Sequence, residues 1–140
     1  MTYLKSLIVA SGLIGATCAQ ADTLSLVVQA TSNAGTLRAA VFDSQQGFDA
    51  GEFVAATYGP AVSGAATLTV KDLKPGTYGI AVFHDQNNNT ELDRNLLGAP
   101  KEPFGFSNDP KIGFSAPGFD AFKFEYDGTA TQLRITLNGT

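Results

Sequence analysis

The sequence predicts an all-β domain: an antiparallel β-sandwich, immunoglobulin-like or transthyretin-like, with six to seven strands and one long ordered loop. Three observations carry this expectation. Six segments alternate apolar and polar residues with the period of two that half-buried strands require, turn-forming residues separate several of them, and no extended stretch has helical periodicity. At 140 residues, 44% hydrophobic and 16% charged, the chain is too apolar to remain disordered and has the length of a single ordinary core.

The first 21 residues differ in character from the rest. Lys5 is their only charge, Ser6 to Ala16 is a run of apolar and small residues, and Ala19-Gln20-Ala21 supplies a small-x-small cleavage pattern. The apolar run is well short of the roughly 20 residues needed to span a bilayer. The expectation is a signal peptide over residues 1–21, cleaved after Ala21, and a single β-sandwich domain over residues 22–140, exported to the periplasm or the medium. A lipid-modified start at Cys18 is the alternative, and Thr17 disfavours it, because lipoprotein signals place a Gly, Ala or Ser before the cysteine. Cys18 is the one cysteine of the chain, so after cleavage at Ala21 the core must hold the fold without a disulfide.

Along the mature chain, Leu24, Leu26 and Val28 alternate with Ser25 and Gln29, and the Asn33-Ala34-Gly35 turn leads into Leu37, Ala39 and Val41, with Arg38 on the opposite face. This pair is expected to form a hairpin. Glu52 to Tyr58 supplies the optional seventh strand, its alternation blurred by two adjacent alanines. Ala66, Leu68 and Val70 alternate with Thr67, Thr69 and Lys71 as far as Lys74-Pro75-Gly76. Thr77 to His84 is almost continuously apolar, the pattern of a central strand buried on both faces. Phe122, Phe124 and Tyr126, then Leu133, Ile135 and Leu137 after Gly128-Thr129, are expected to form a second hairpin.

Between His84 and about Phe119 strand character is lost. Structureless loops beyond about 15 residues are uncommon in compact domains and are usually functional or disordered. Here Leu92, Leu96, Leu97, Phe104, Phe106, Phe114 and Phe119 give the loop enough apolar surface to fold back on the sandwich. Asp93 to Leu97 is expected to make one helical turn, ended by Gly98 and Pro100.

The run His84-Asp85-Gln86-Asn87-Asn88-Asn89-Thr90-Glu91-Leu92-Asp93, with Asn95, Gly98, Pro100, Glu102 and Gly105-Phe106-Ser107-Asn108 after it and Leu73-Lys74-Pro75-Gly76-Thr77-Tyr78 before it, resembles a family of exported bacterial proteins catalogued as domain of unknown function 2141. The resemblance covers essentially the whole mature chain. It implies an exported sandwich with an elaborated loop and brings no catalytic residues with it. Relatives tend to have glycines where this chain has Asn88 and Thr90, so any tight turn must form here without them.

The loop also holds the sharpest chemical pattern. Asp85, Asn87 and Asn89 stand at positions 1, 3 and 5 of an oxygen-donor spacing, with Glu91 at 7 and Asp93 at 9. Calcium loops use this spacing because alternate side chains converge on one centre while position 7 gives its backbone carbonyl. Position 6 is Thr90 rather than glycine and position 12 is Leu96 rather than glutamate, so the loop is not an EF-hand. The same residues also fit an Asx-rich turn whose side chains bond their own backbone. Asp85 and Asp93 are both expected outside the core.

Other chemistries find less support. His84 is the only histidine, and as Asp85 follows it on a strand, the two side chains should point to opposite faces. A buried strand-end histidine is the plainer reading, one whose loss changes stability rather than catalysis. Zinc would need three or four Cys or His ligands. Glu91, Asp93 and Glu102 would serve an acid-base hydrolase if two carboxyls faced each other across an open cleft. Ser107 lacks the local context of a nucleophile elbow. Phe104, Phe106, Phe114 and Phe119 would either pin the loop to the core or line an apolar or sugar-stacking groove.

Charge disfavours nucleic acid as a partner, since 13 acidic residues outnumber 9 basic ones and the basic residues are scattered. Anionic membrane surfaces are disfavoured for the same reason. The expected function is that of an exported, non-enzymatic domain whose long loop binds calcium. The alternative is a binding module that takes an envelope or extracellular ligand (glycan, peptide or protein) through the Phe104–Phe119 segment.

Overall fold

A computed structural model describes residues 23–138. The expected signal peptide and its cleavage point after Ala21 lie outside the described residues. The described chain is a two-layered β-sandwich of eight strands: β1 (Thr23–Ala30), β2 (Thr36–Phe42), β3 (Ala55–Pro60), β4 (Gly64–Lys71), β5 (Gly76–Asp85), β6 (Phe104–Phe106), β7 (Lys123–Tyr126) and β8 (Thr131–Thr136). Two short helices, α1 (Gln45–Ala50) and α2 (Phe119–Phe122), complete it.

One sheet has the order β4-β1-β8 and the other β3-β2-β5-β6, with β7 also paired to β5. The inward faces follow the alternation of the sequence. Leu24, Leu26 and Val28 of β1, Leu68 and Val70 of β4 and Ile135 of β8 meet Leu37 and Val41 of β2 and Ile80 and Val82 of β5 in one core. Seven of these are wholly shielded from water, each fully buried aliphatic chain contributing roughly 1.5–3 kcal/mol.

Neither expected hairpin forms. β1 and β2 lie in different sheets, as do β7 and β8, so both turns carry the chain across the sandwich instead of reversing it within a sheet. β8 then runs parallel to β1, Leu26 opposite Leu133 and Val28 opposite Ile135, and this pair departs from an otherwise antiparallel pairing. The alternation was compatible with either arrangement, because inward residues meet the same core whichever strand lies alongside. The strand count rises to eight because the long loop contributes β6.

β5 is the central strand of its sheet. β2 covers one edge from Gly79 to Asp85; along the other edge β7 pairs with Gly76 to Gly79 and β6 with Ala81 to Phe83. Ser107 closes the gap between those two partners. Its N–H donates to the Ile80 carbonyl at 2.9 Å, its hydroxyl oxygen accepts from the Ile80 N–H at 3.0 Å, and its O–H donates to the Phe122 carbonyl. The ladder along β5 therefore continues through a side chain where no strand is present, which accounts for the complete burial of this serine.

The helices were not anticipated; local chemistry explains α1, while the first N–H of α2, that of Phe119, is met from α1 by Gln45 Oε1 at 2.7 Å. Ser44 caps α1, its hydroxyl accepting from the Gly47 N–H at 3.0 Å, and Gly51 closes it in the left-handed region. Phe122, expected on a strand, ends α2 and packs on Gly79 so closely that a Cβ there would lie 2.5 Å from the phenyl ring. Asp93 to Leu97 is not helical. A short bridge between Arg94 and Pro100 closes a turn there, with Asn95 accepting the Leu97 and Ala99 N–H groups.

His84 lies on the inner face of β5, wholly buried, with Nε2–H donating to the Ala34 carbonyl. Its N–H donates to the Pro103 carbonyl at 2.8 Å, and Asp85 faces the other way, as adjacent strand residues must. His84→Ala removes both packing and a hydrogen bond at a site without solvent, and should cost about 2–4 kcal/mol. The check is urea unfolding, where the midpoint should fall with an unchanged slope.

Candidate functional site

The outer face of the larger sheet is where the molecule departs from an ordinary sandwich. In register across β3, β2, β5 and β6, Tyr58, Arg38, Phe83 and Phe104 form one row, and Ala56, Ala40, Ala81 and Phe106 the next. Three alanines side by side leave a depression between larger neighbours. Beyond it, Phe42, Phe106, Phe119 and Phe122 form a second buried cluster. Phe48 of α1 meets Phe42, Phe106 and Phe122 edge-on with ring centroids 5.0–5.9 Å apart, geometry that aromatic rings favour.

Both arms of the long loop border the cleft over the alanine row. Thr90, Leu92, Arg94 and residues 97–100 come from one arm, and residues 112–116 from the other, and with the sheet they enclose a cleft of about 870 Å3. Its lining is mainly aliphatic and aromatic. Seven large apolar side chains are exposed among the described residues, and four of them, Phe53, Tyr58, Leu97 and Phe114, border this cleft. Isolated exposed apolar residues need no explanation, but a set gathered around one concavity does.

The Asp85–Asp93 segment stands next to the cleft and is held by carboxylates. Asp85 ends β5 with no exposure. Its Oδ1 accepts the Asn89 N–H at 3.1 Å; its Oδ2 accepts the Thr90 N–H at 2.9 Å and Arg38 Nε–H at 2.7 Å. Burial alone would raise the Asp85 pKa, but the Arg38, Thr90 and Asn89 hydrogen bonds together outweigh it and hold the carboxyl below its ordinary value. Arg38 in turn lies over the Tyr58 ring, 5.6 Å from its centroid. Glu102, also buried, ties the two ends of the loop by accepting the Gln86 N–H at 2.9 Å and the Asp93 N–H at 3.2 Å.

The residues of the oxygen-donor pattern come together. Asn87 and Asn89 donate their amide N–H groups to the two oxygens of Asp93, at 2.5 and 2.7 Å, and Glu91 is exposed with its N–H on Asn89 Oδ1. Asn88 and Thr90 both adopt the left-handed region with φ of 56° and 71°. For a β-branched threonine this conformation is costly, and the convergence of donors on Asp85 enforces it.

Asp85 does not lie outside the core, because the last residue of β5 faces a surface that the loop covers. Of the four loop phenylalanines, Phe104 and Phe106 line the cleft from β6, Phe114 stands fully exposed at its rim, and Phe119 is buried in the aromatic cluster away from it. Glu91, Asp93 and Glu102 do not face one another across the cleft: none of them lines it, and Glu102 is occupied by backbone N–H groups. Sequence reasoning missed Arg38, Ala40, Ala56, Tyr58, Ala81 and Phe83. The available signal was the apolar character of the outward positions of β2 and β5, Ala40 and Phe42 on one and Ala81 and Phe83 on the other.

A depressed carboxylate pKa contributes stability that is complete above the unfolded value of about 3.9 and lost as pH falls through the lower folded value. Asp85→Asn should therefore cost roughly 3 kcal/mol at pH 7 and flatten the acid limb of the stability curve below about pH 5. Urea midpoints of both proteins between pH 7 and pH 2 test this, and parallel acid limbs would contradict it.

The family comparison covers residues 26–134, most of both sheets and the whole loop, and matches the family described as an uncharacterised protein conserved in bacteria. No curated protein and no solved structure matches the chain. On the extent of that match, the chain belongs to the bacterial family of domain of unknown function 2141.

Proposed function

We propose that this protein is an exported, non-enzymatic binding module that takes a small, mainly apolar molecule in the cleft on the outer face of its larger sheet. One observation carries the reading. A concavity of about 870 Å3, floored by Ala56, Ala40 and Ala81 and rimmed by Phe53, Tyr58, Leu97 and Phe114, lies within the roughly 300–1,000 Å3 of small-molecule sites. A peptide or protein partner would favour a flatter surface or an open sheet edge. Export rests on the leader pattern of residues 1–21.

Nile red, a neutral apolar dye, should bind the domain with enhanced emission. Ala56→Trp, which fills the depression from an exposed edge position, should weaken binding by about tenfold, or 1.4 kcal/mol, with an unchanged melting temperature. Equal binding by both proteins, or none by either, would contradict the reading.

A second reading, calcium on the Asp85–Asp93 loop, is favoured by the backbone at Thr90. Position 6 of a calcium loop is the sharp turn that glycine ordinarily makes, and Thr90 makes it with φ of 71°. Asn87, Asn89 and Asp93 would supply side-chain oxygens, with Asp85 at position 1 and a carbonyl near Glu91. The amide groups of Asn87 and Asn89 would turn their oxygens inward, giving up the bonds they donate to Asp93 and those their oxygens accept from the Asn89 and Glu91 N–H groups. With few carboxylates, affinity should fall in the range of about 10⁻⁴ to 10⁻³ M, and calcium at 100 times the dissociation constant should stabilise the fold by about 2.7 kcal/mol. Differential scanning calorimetry with calcium and with chelator, on the unaltered domain and on Asp93→Ala, checks this. A melting temperature indifferent to both additions would leave the segment an Asx-bonded turn.

A further inference from the structure

We infer that the ligand of the cleft is a single-headed anionic amphiphile, an alkyl or aromatic body ending in one carboxylate. This rests on the cleft being a small-molecule site, and it follows from how charge is distributed around it. The chain as a whole is acidic, with a formal net charge of −4. The cleft inverts that balance: its only charged lining residues are Arg38 and Arg94, and among the described residues no Asp or Glu side chain lines it.

The two arginines are placed differently. Arg38 stands in the floor, between Tyr58 and Phe83 in register, with its side chain 25% exposed. Its Nε–H is bound to Asp85, so the guanidinium is fixed in position, and one hydrogen bond leaves the rest of the planar fork for a ligand. Arg94 stands in the loop wall, where one terminal amino group donates to the Gly98 carbonyl at 3.0 Å. A guanidinium in an apolar setting binds carboxylate well because the two are planar and match in a paired geometry. The apolar lining meanwhile excludes polar ligands that lack a hydrophobic body.

The number of charges selects among anions. Asp85 already neutralises Arg38, so the site presents about one uncompensated positive charge, that of Arg94. A monoanion balances it, whereas a phosphate monoester, carrying about −1.5 to −2 near pH 7, would bring a second negative charge that no lining residue balances.

Isothermal titration of the mature domain with dodecanoate, dodecanol, dodecyl phosphate and dodecyltrimethylammonium tests the inference. Dodecanoate should bind at least about tenfold more tightly than dodecanol and more tightly than dodecyl phosphate, and the cation should not bind. Arg94→Gln should abolish the advantage of dodecanoate over dodecanol while dodecanol affinity stays the same. Arg38→Lys, which keeps the charge beside Asp85 but loses the fork, should reduce that advantage with the melting temperature as a control for folding. Equal binding of dodecanoate and dodecanol overturns the anionic assignment and leaves the cleft reading standing. Tighter binding of dodecyl phosphate overturns the choice of a monoanion. Failure of all four amphiphiles to bind overturns both the inference and the small-molecule reading on which it rests.

Discussion

Asp85 holds a negative charge where no solvent reaches, at the junction of the central strand, the long loop and the cleft floor. A carboxylate in that position persists because it accepts three hydrogen bonds, one from the guanidinium of Arg38 and two from backbone N–H groups. The consequences spread outward from this point. The chain leaving β5 must curl tightly enough to bring Asn89 and Thr90 back to Asp85, which forces left-handed backbone on residues other than glycine. Arg38 is held flat on the sheet face beside Tyr58 instead of extending into solvent, so the floor of the cleft keeps a fixed cation. Glu102 repeats the device on the returning arm.

The sequence was most informative where burial is extreme. Thr77 to His84 could only be a two-sided central strand, and β5 is one, because a continuous apolar run cannot face water on either side. The partners of each strand were not legible. Asn33 to Gly35 has the chemistry of a tight turn, and the turn does form, yet turn chemistry fixes a change of direction and not the sheet that receives the next strand. Gly35 here approaches the Asp85 carbonyl so closely that a Cβ would lie 2.1 Å from it, a constraint set by a residue fifty positions away. The cleft was illegible for the same reason. Ala40, Ala56 and Ala81 are unremarkable singly, and only strand register makes them neighbours.

The loop illustrates the opposite limit. Its phenylalanines are alike in composition, but Phe106 and Phe119 are buried, Phe104 is half-buried and Phe114 lies open to solvent. Spacing along a chain without regular structure carries no face, so nothing local distinguishes a residue that anchors from one that rims an opening. The anchors divide the outer face of the sheet in two. At one end α1 and α2 seal it with interlocked rings, and at the other the arms stand apart over small side chains. A sheet covered at both ends would have been a plain three-layer core; covering only one leaves a concavity.

The parallel pairing of β1 with β8 has a kinetic consequence. β1 is the middle strand of its sheet, flanked by β4, whose partner residues lie some forty positions away, and by β8, more than a hundred positions further along. Contacts of such separation close large loops before they return any stabilisation, and domains built from them fold on timescales of milliseconds to seconds. During synthesis β1 is made well before its parallel neighbour β8. Until β8 emerges, one side of β1 stays unpaired, an interval in which whatever holds unfolded chains apart has a template strand to protect.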